Sequence, residues 1–421
     1  MVFLTPDGCT QSSVLCLPSS DMQTQLSTSF KATPTGQEAD RILRSCVHCG
    51  FCNATCPTYQ LLGDELDGPR GRIYLIKNLL ESNHASRTTQ LHLDRCLTCR
   101  ACETTCPSGV EYGRLADIGR AVVEKMVARP WPERLTRRLL RAILPYPKRF
   151  TPLLRLGQML RPLLPAALAR SVPPRQNAAA WPVARHTRKM LLLDGCVQPG
   201  IAPNINAATA RVLDRLGITV QVPKGAGCCG AVSYHLNAQD EAREFMRRNI
   251  DAWWPHIEGG AEAIIITASG CGAMVKEYGH ILCDDPAYGE KAQRISDLTK
   301  DIAEVLWQEK DNLNIQHQDA KLAYHSPCTL QHGQKLPGMV ENLLLHCGFT
   351  LTAVPDAHLC CGSAGTYSIL QKELSQKLLQ NKLAALQSGA PAVIATANLG
   401  CLTHLQSRSE VPVRHWIELL E

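Results

Sequence analysis

Two stretches of the chain share one cysteine spacing, Cys46-x2-Cys49-x2-Cys52-x3-Cys56-Pro57 and Cys96-x2-Cys99-x2-Cys102-x3-Cys106-Pro107. Thiolates ligate iron, and three of them two residues apart can wrap one cubane while its fourth iron stays out of reach of the same turn. In the bacterial ferredoxin arrangement the last cysteine of each run crosses to the other cluster. The spacing therefore predicts one 4Fe-4S cluster on Cys46, Cys49, Cys52 and Cys106 and a second on Cys96, Cys99, Cys102 and Cys56. Each proline is expected to end its turn, so that the fourth thiolate points away from its own trio. Structural zinc fits less well, because zinc ribbons use two Cys-x2-Cys pairs and need no further cysteine before a proline. Disulfides fit less well still, since these cysteines sit too close together for several bridges and residues 1–21 do not read as a secretory signal.

A second set of cysteines belongs to an internal repeat that starts near residue 187. Cys196, Cys228 and Cys229 recur as Cys328, Cys360 and Cys361 at a constant offset of 132 residues. Further on, Cys271 in Ala263–Cys271 answers Cys401 in Ala392–Cys401. Three readings stay open for these eight cysteines: ligands of a further iron-sulfur cluster, shared or one per copy; redox-active thiols; or small buried apolar side chains, which free cysteine often is. His325, His404 and Met274 lie nearby, but a single histidine beside a strand end is more often a satisfied polar residue than a ligand.

These side chains need a scaffold, and the pattern predicts an α+β multi-domain chain. Residues 38–128 read as a small helical two-cluster domain of ferredoxin type, with a turn at Asp67–Gly71 and helices over Arg72–Leu80 and Arg114–Val127. Residues 187–310 and 318–421 read as two cysteine-rich α/β units. In each, apolar runs alternate with amphipathic helices, as in a largely parallel sheet with cysteines at strand ends. Residues 1–37 are left as an N-terminal extension, with Cys9 and Cys16 as bystanders.

Residues 129–186 form a basic, proline-rich linker. Ten arginines and lysines between Trp131 and Gln176 face the single acid Glu133, and Leu135, Leu139, Leu140, Ile143 and Leu144 share a helical face. A solvated linker, a surface for a partner subunit and contact with an anionic membrane all remain open. Nucleic acid does not fit, because no recognition motif accompanies the charge.

With 421 residues, 20 cysteines and a net charge of +6, the composition points to metal thiolates under reducing conditions, hence to the cytoplasm. No run approaches eighteen apolar residues, so no spanning helix is expected. Gly225-Ala-Gly227-Cys-Cys-Gly230 formally meets the dinucleotide fingerprint, but no acidic residue follows at the required distance and the second copy lacks the glycines.

The paired cysteine runs, the segment Gly68-Pro-Arg-Gly-Arg-Ile-Tyr-Leu-Ile-Lys77 and the two Cys-Cys-Gly repeats together resemble the iron-sulfur subunits of bacterial glycolate oxidase. That family is similar in architecture to subunits of heterodisulfide reductases, anaerobic glycerol-3-phosphate dehydrogenase and lactate-utilisation proteins. The resemblance implies FAD-containing partner subunits that oxidise glycolate to glyoxylate, electron flow toward a membrane quinone, and a cytoplasmic protein held peripherally at the inner membrane. It also leaves two rival activities: the same relay for lactate or glycerol 3-phosphate, and thiol-disulfide reduction at the Cys-Cys-Gly sites. No flavin motif and no α-hydroxy-acid site is legible in the chain, so no catalytic residue is assigned. In heterodisulfide reductases the repeat closes with Cys-x2-Cys, whereas Met274 and His404 stand at those places here.

Overall fold

The computed structural model describes residues 22–165, 169, 172–313, 315 and 320–421. Cys9 and Cys16 lie outside the described residues.

The first domain is helical because its apolar residues recur at helical spacing between good caps. Thr33 accepts the Gly36 amide at 3.0 Å and Pro34 fills the first turn of a helix to Arg44. Ser86 does the same for Thr89 at the start of Arg87–Asp94. These two helices, Pro69–Ser82 and Tyr112–Met126 bury Ile42, Leu43, Ile73, Ile76, Leu79, Leu93 and Leu115 in one core. The approach of the last two depends on Gly119, where a Cβ would stand 2.6 Å from Ile76 Cγ1. Residues 22–37 do not form a separate extension. Met22, Leu26 and Phe30 pack against the same core, and Thr24 bonds Asp40.

The segment read as a linker contains the helices Trp131–Ile143 and Pro147–Leu160, and no residue of these two helices is buried. It straps the first domain to the first repeat. Arg137 reaches Asp94 at 3.2 Å, and Arg141 reaches Glu241 at 2.6 Å.

Each repeat is a four-stranded, all-parallel sheet with the same strand order. In the first, β1 (Arg188–Leu192), β2 (Ile218–Gln221), β3 (Ile264–Ile266) and β4 (Thr299–Asp301) run in the order β2-β1-β3-β4. In the second, β5 (Lys321–His325), β6 (Thr350–Leu351), β7 (Val393–Thr396) and β8 (Val413–His415) run in the order β6-β5-β7-β8.

Both faces of the first sheet are covered, so alternate residues enter different cores. Met190, Leu192 and Ile265 join a core shared with Leu322, Tyr324, Ile394 and Trp416 of the second repeat. Leu191, Leu193, Ile264 and Ile266 face Met246, Trp253 and Tyr278 instead. The shared core makes the two copies one packed body, and His415 Nε2 bonds Thr267 O across it at 2.9 Å.

Candidate metal centres

The two cysteine runs build loops on the same plan. Each is entered from a helix, Pro34–Arg44 or Arg87–Asp94, and left through a single helical turn, Phe51–Ala54 or Ala101–Thr104. Between first and third cysteine the backbone takes left-handed φ twice: +56° and +83° at His48 and Gly50, +53° and +59° at Thr98 and Arg100. Three of those four residues carry a side chain that disfavours this conformation, and such strain persists where a site demands the curvature. The curvature turns amides inward, as where Thr98 N donates to Cys96 Sγ at 3.4 Å.

Cys46, Cys49, Cys52 and Cys106 line one cavity together with Arg70, Ile73 and Tyr112. Cys56, Cys96, Cys99 and Cys102 line a second, with Arg72, Leu97 and Tyr112. The fourth thiol of each set thus comes from the other run. Pro69, Cys102 and Tyr112 line both cavities, so the two lie back to back. A concave wall of four sulfurs with inward amides suits a cubane in each. Burial pushes the Cys52 thiol up to about 11 and raises Cys46, Cys56 and Cys102, so a cluster must displace protons to bind.

The two prolines differ in what they do. Pro57 opens the helix Pro57–Leu62, where its missing N–H costs nothing, whereas Pro107 sits in a turn. Neither ends a turn as expected, since Pro107 takes the second position of the turn Cys106–Gly109, closed by Gly109 N to Cys106 O at 3.2 Å.

The segment after the first run supplies more than a turn and a helix. Arg70 and Arg72 both leave the first turn of Pro69–Ser82, one lining each cavity. Arg72 is buried, donates to Thr58 Oγ1 at 3.1 Å and stands 4.0 Å from Cys56 Sγ. Its counter-ion is the buried Asp67, at 3.3 Å, which also meets His92 Nδ1 at 3.0 Å and Arg95 at 2.8 Å. Tyr112 donates to Cys96 Sγ at 3.5 Å. Cysteine spacing gives no sign of these residues. The run of glycine, proline and two arginines was the available signal, since a turn seldom needs two cations.

The repeat cysteines gather as two sets of four, one per copy. In the first, Cys196 contacts Cys228, and Cys229 contacts both Cys228 and Cys271. This set opens on a cleft whose far wall includes Cys96, Arg120 and Tyr367. In the second set Cys328 contacts Cys360, and Cys361 contacts Cys401. All four are buried, and Cys328 also touches Cys99 of the first domain. The glycine of each Cys-Cys-Gly is obligatory: Gly230 and Gly362 have φ of +90° and +86°, and a Cβ on Gly362 would stand 2.6 Å from Ser375 O.

The histidines separate. His404 bonds Ser375 Oγ at 3.1 Å. His325 is buried with no partner on either ring nitrogen, and burial pushes its imidazole down to about 3, so it is neutral. It lies with Cys361 and Cys401, one ligand atom of each within 4.8 Å of the others. Met274 is buried in the apolar core beside Cys229.

The 4Fe-4S dicluster domain family matches residues 42–110, and the Cysteine-rich domain family matches residues 190–276 and 322–406. The chain is 58% identical over 401 residues to the glycolate oxidase iron-sulfur subunit of Escherichia coli K12, covering 95% of this chain and 98% of that one. It belongs to the glycolate oxidase iron-sulfur subunit family. Within it, the probable glycolate oxidase iron-sulfur subunit of Bacillus subtilis is 30% identical over 86% of this chain and 88% of its own. Lactate utilization protein A of Bacillus licheniformis is 32% identical over 55% of this chain and 98% of its own length. Membership carries two 4Fe-4S clusters in the first domain, at 42–110, and the expected architecture of a ferredoxin-type domain followed by two cysteine-rich units.

Proposed function

We propose that the chain relays electrons in a complex whose FAD-containing subunits oxidise glycolate to glyoxylate and whose final acceptor is a membrane quinone. The observation that carries the reading is the pair of four-thiol cavities set back to back, with Cys99 of the second against Cys328 of the second repeat. Glycolate loses two electrons and two protons to the flavin, and a 4Fe-4S cluster, when bound, carries one electron at a time. The chain's own residues do the rest. Ile73, Tyr112 and Leu97 shield the cavities from water, Arg70 and Arg72 offset thiolate charge, and the strained loops fix the sulfurs.

Electron entry is proposed at the cavity lined by Cys46, Cys49, Cys52 and Cys106. Cys49 is exposed there, rimmed by Val47, Phe51 and Tyr74, whose exposed apolar surface suits a flavoprotein partner. In the assembled complex, anaerobic glycolate should bleach the cluster absorbance while lactate and glycerol 3-phosphate leave it oxidised. Phe51→Asp should slow that bleaching about tenfold or more by weakening subunit assembly, with dithionite reduction of the isolated chain unchanged. Bleaching by lactate alone would reassign the substrate. Disulfide reduction is disfavoured at the second repeat, since its four cysteines are buried and exchange needs access.

Peripheral attachment at the cytoplasmic face of the inner membrane is proposed through the basic helices. Leu153, Leu156, Met159, Leu160 and Leu163 are exposed and recur at helical spacing beside Lys148, Arg149, Arg155 and Arg161. No described helix is long and apolar enough to cross a membrane. The chain should co-sediment with vesicles containing phosphatidylglycerol and not with phosphatidylcholine vesicles. Leu156→Glu with Met159→Glu should weaken that binding about tenfold or more. Equal pelleting of wild type and variant would exclude this face.

A further inference from the structure

We infer that His325 is a metal ligand, completing with Cys361 and Cys401 a one-nitrogen, two-sulfur site for a divalent iron or zinc ion in the second repeat, a site for which the first repeat has no equivalent.

The geometry is specific. His325 ends β5, Cys361 belongs to the second Cys-Cys-Gly, and Cys401 lies in the first turn of the helix Leu399–Gln406, so three separate segments converge on one point. One donor atom from each lies within 4.8 Å of the other two. Neither ferredoxin-type thiol set offers three donors so close together, because a cubane holds its ligands farther apart than a single ion does. The trio therefore has the spacing of ligands on one metal atom.

His325 is also the exception among the buried histidines of the described residues. His92 meets Asp67, His332 meets Thr104 and His358, and His415 meets Thr267 and Ile417. His325 is 1% exposed, and neither ring nitrogen has any partner. A neutral imidazole in that position leaves a donor and an acceptor orphaned, which folded proteins avoid unless something absent from the polypeptide satisfies them. A metal ion takes the lone pair of one nitrogen.

The repeat supplies an internal control. The place of His325 in β5 is held in the first copy by Leu193, which packs with Cys229, Met274 and Val275 in an apolar core. The same fold thus accommodates leucine there without difficulty, and packing does not call for the imidazole. Lys382, buried and donating to Asp356 O at 2.8 Å, adds a cation to the second copy's site that would offset thiolate charge. Soft thiolates with one imidazole suit iron or zinc and not magnesium or calcium.

The test uses the full chain, isolated without oxygen, as wild type, His325→Leu and Cys401→Ser. Metal content, X-ray absorption at the iron and zinc edges, and thermal unfolding are measured together. If the ion is zinc, both variants lose about one zinc per chain, and the wild-type zinc edge shows mixed nitrogen and sulfur ligation. If it is iron, both lose iron while the electron paramagnetic resonance of the two cubanes persists, and a nitrogen hyperfine coupling of the wild type disappears. In either case His325→Leu lowers the unfolding temperature.

A purely structural histidine gives the opposite result. Replacing two orphaned buried polar atoms by the leucine that the first repeat already uses would then raise the unfolding temperature and leave metal content unchanged. That outcome would overturn the inference. The electron-relay reading is scored separately by the cubane signals, so the two can fail independently.

Discussion

Cys56→Ser is expected to cost the chain about four irons from the centre that also uses Cys96, Cys99 and Cys102, and to spare the centre beside its own run. Cys106→Ser is expected to do the reverse. The distinction is measurable by pairing substitutions. Cys56→Ser with Cys99→Ser should lose no more iron than either alone, because both damage one centre. Cys56→Ser with Cys49→Ser should empty the domain. Reduced protein carrying only the first pair should show one uncoupled paramagnetic signal where wild type shows two interacting spins. If each run instead served its own cluster, the Cys56–Cys49 pair would be the one that loses no further iron. The effect is large because ligand binding energy is also folding energy for a small domain whose core includes Cys46, Cys96 and Cys102.

Asp67→Ala is expected to destabilise the first domain by about 3–5 kcal/mol, the range for removing one member of a buried ion pair. Asp67 is fully buried and accepts from Arg72, Arg95 and His92. Arg95 can turn toward solvent after the loss, since its side chain is 28% exposed. Arg72 cannot; it would remain buried without its carboxylate, with only the Cys56 sulfur at 4.0 Å as a counter-charge. Asp67→Asn keeps acceptors for part of the network and should cost less, and Asp240→Ala, on the surface, should leave the unfolding midpoint unchanged. Denaturant unfolding of the cluster-loaded chain, followed by loss of cluster absorbance, measures all three. Equal midpoints for Asp67→Ala and wild type would show that Arg72 needs no counter-ion.

The legible parts of the chain were those with a period. Cysteine spacing pointed to two four-thiol sets with an exchanged member, and each set lines a cavity of its own, with Cys102 on the wall of both. Alternating apolar runs pointed to parallel sheets, and each repeat has one. The expected helices Arg72–Leu80 and Arg114–Val127 are present, the first extended to Pro69–Ser82 and the second running from Tyr112 to Met126 with Val127 as its C-cap. The fourth strand of each repeat was not legible, because β4 and β8 are three residues long and carry no cysteine. A signal was present all the same: each runs into an x-x-x-Glu capping box, Asp301 with Glu304 and His415 with Glu418. Of the expected extension 1–37, residues Met22, Leu26 and Phe30 pack on the first core, while the two helices inside the expected linker 129–186 bury no residue; amphipathic segments of modest hydrophobicity look alike in sequence whether they pack or float.

The sequence by itself determined ligand type, spacing and duplication, since those are properties of a chain and survive unfolding. Only the tertiary structure decided which partners meet across the chain. Cys99 against Cys328, Arg72 against Cys56 and His92, and His325 against Cys361 and Cys401 are contacts between segments separated by loops. Local spacing carries no record of such contacts, because they are fixed by how two sheets and a helical domain share their cores. The two copies repeat nearly the same cysteine pattern, yet one closes on a leucine and the other on an imidazole. The difference becomes chemistry only when folding removes water from around that ring.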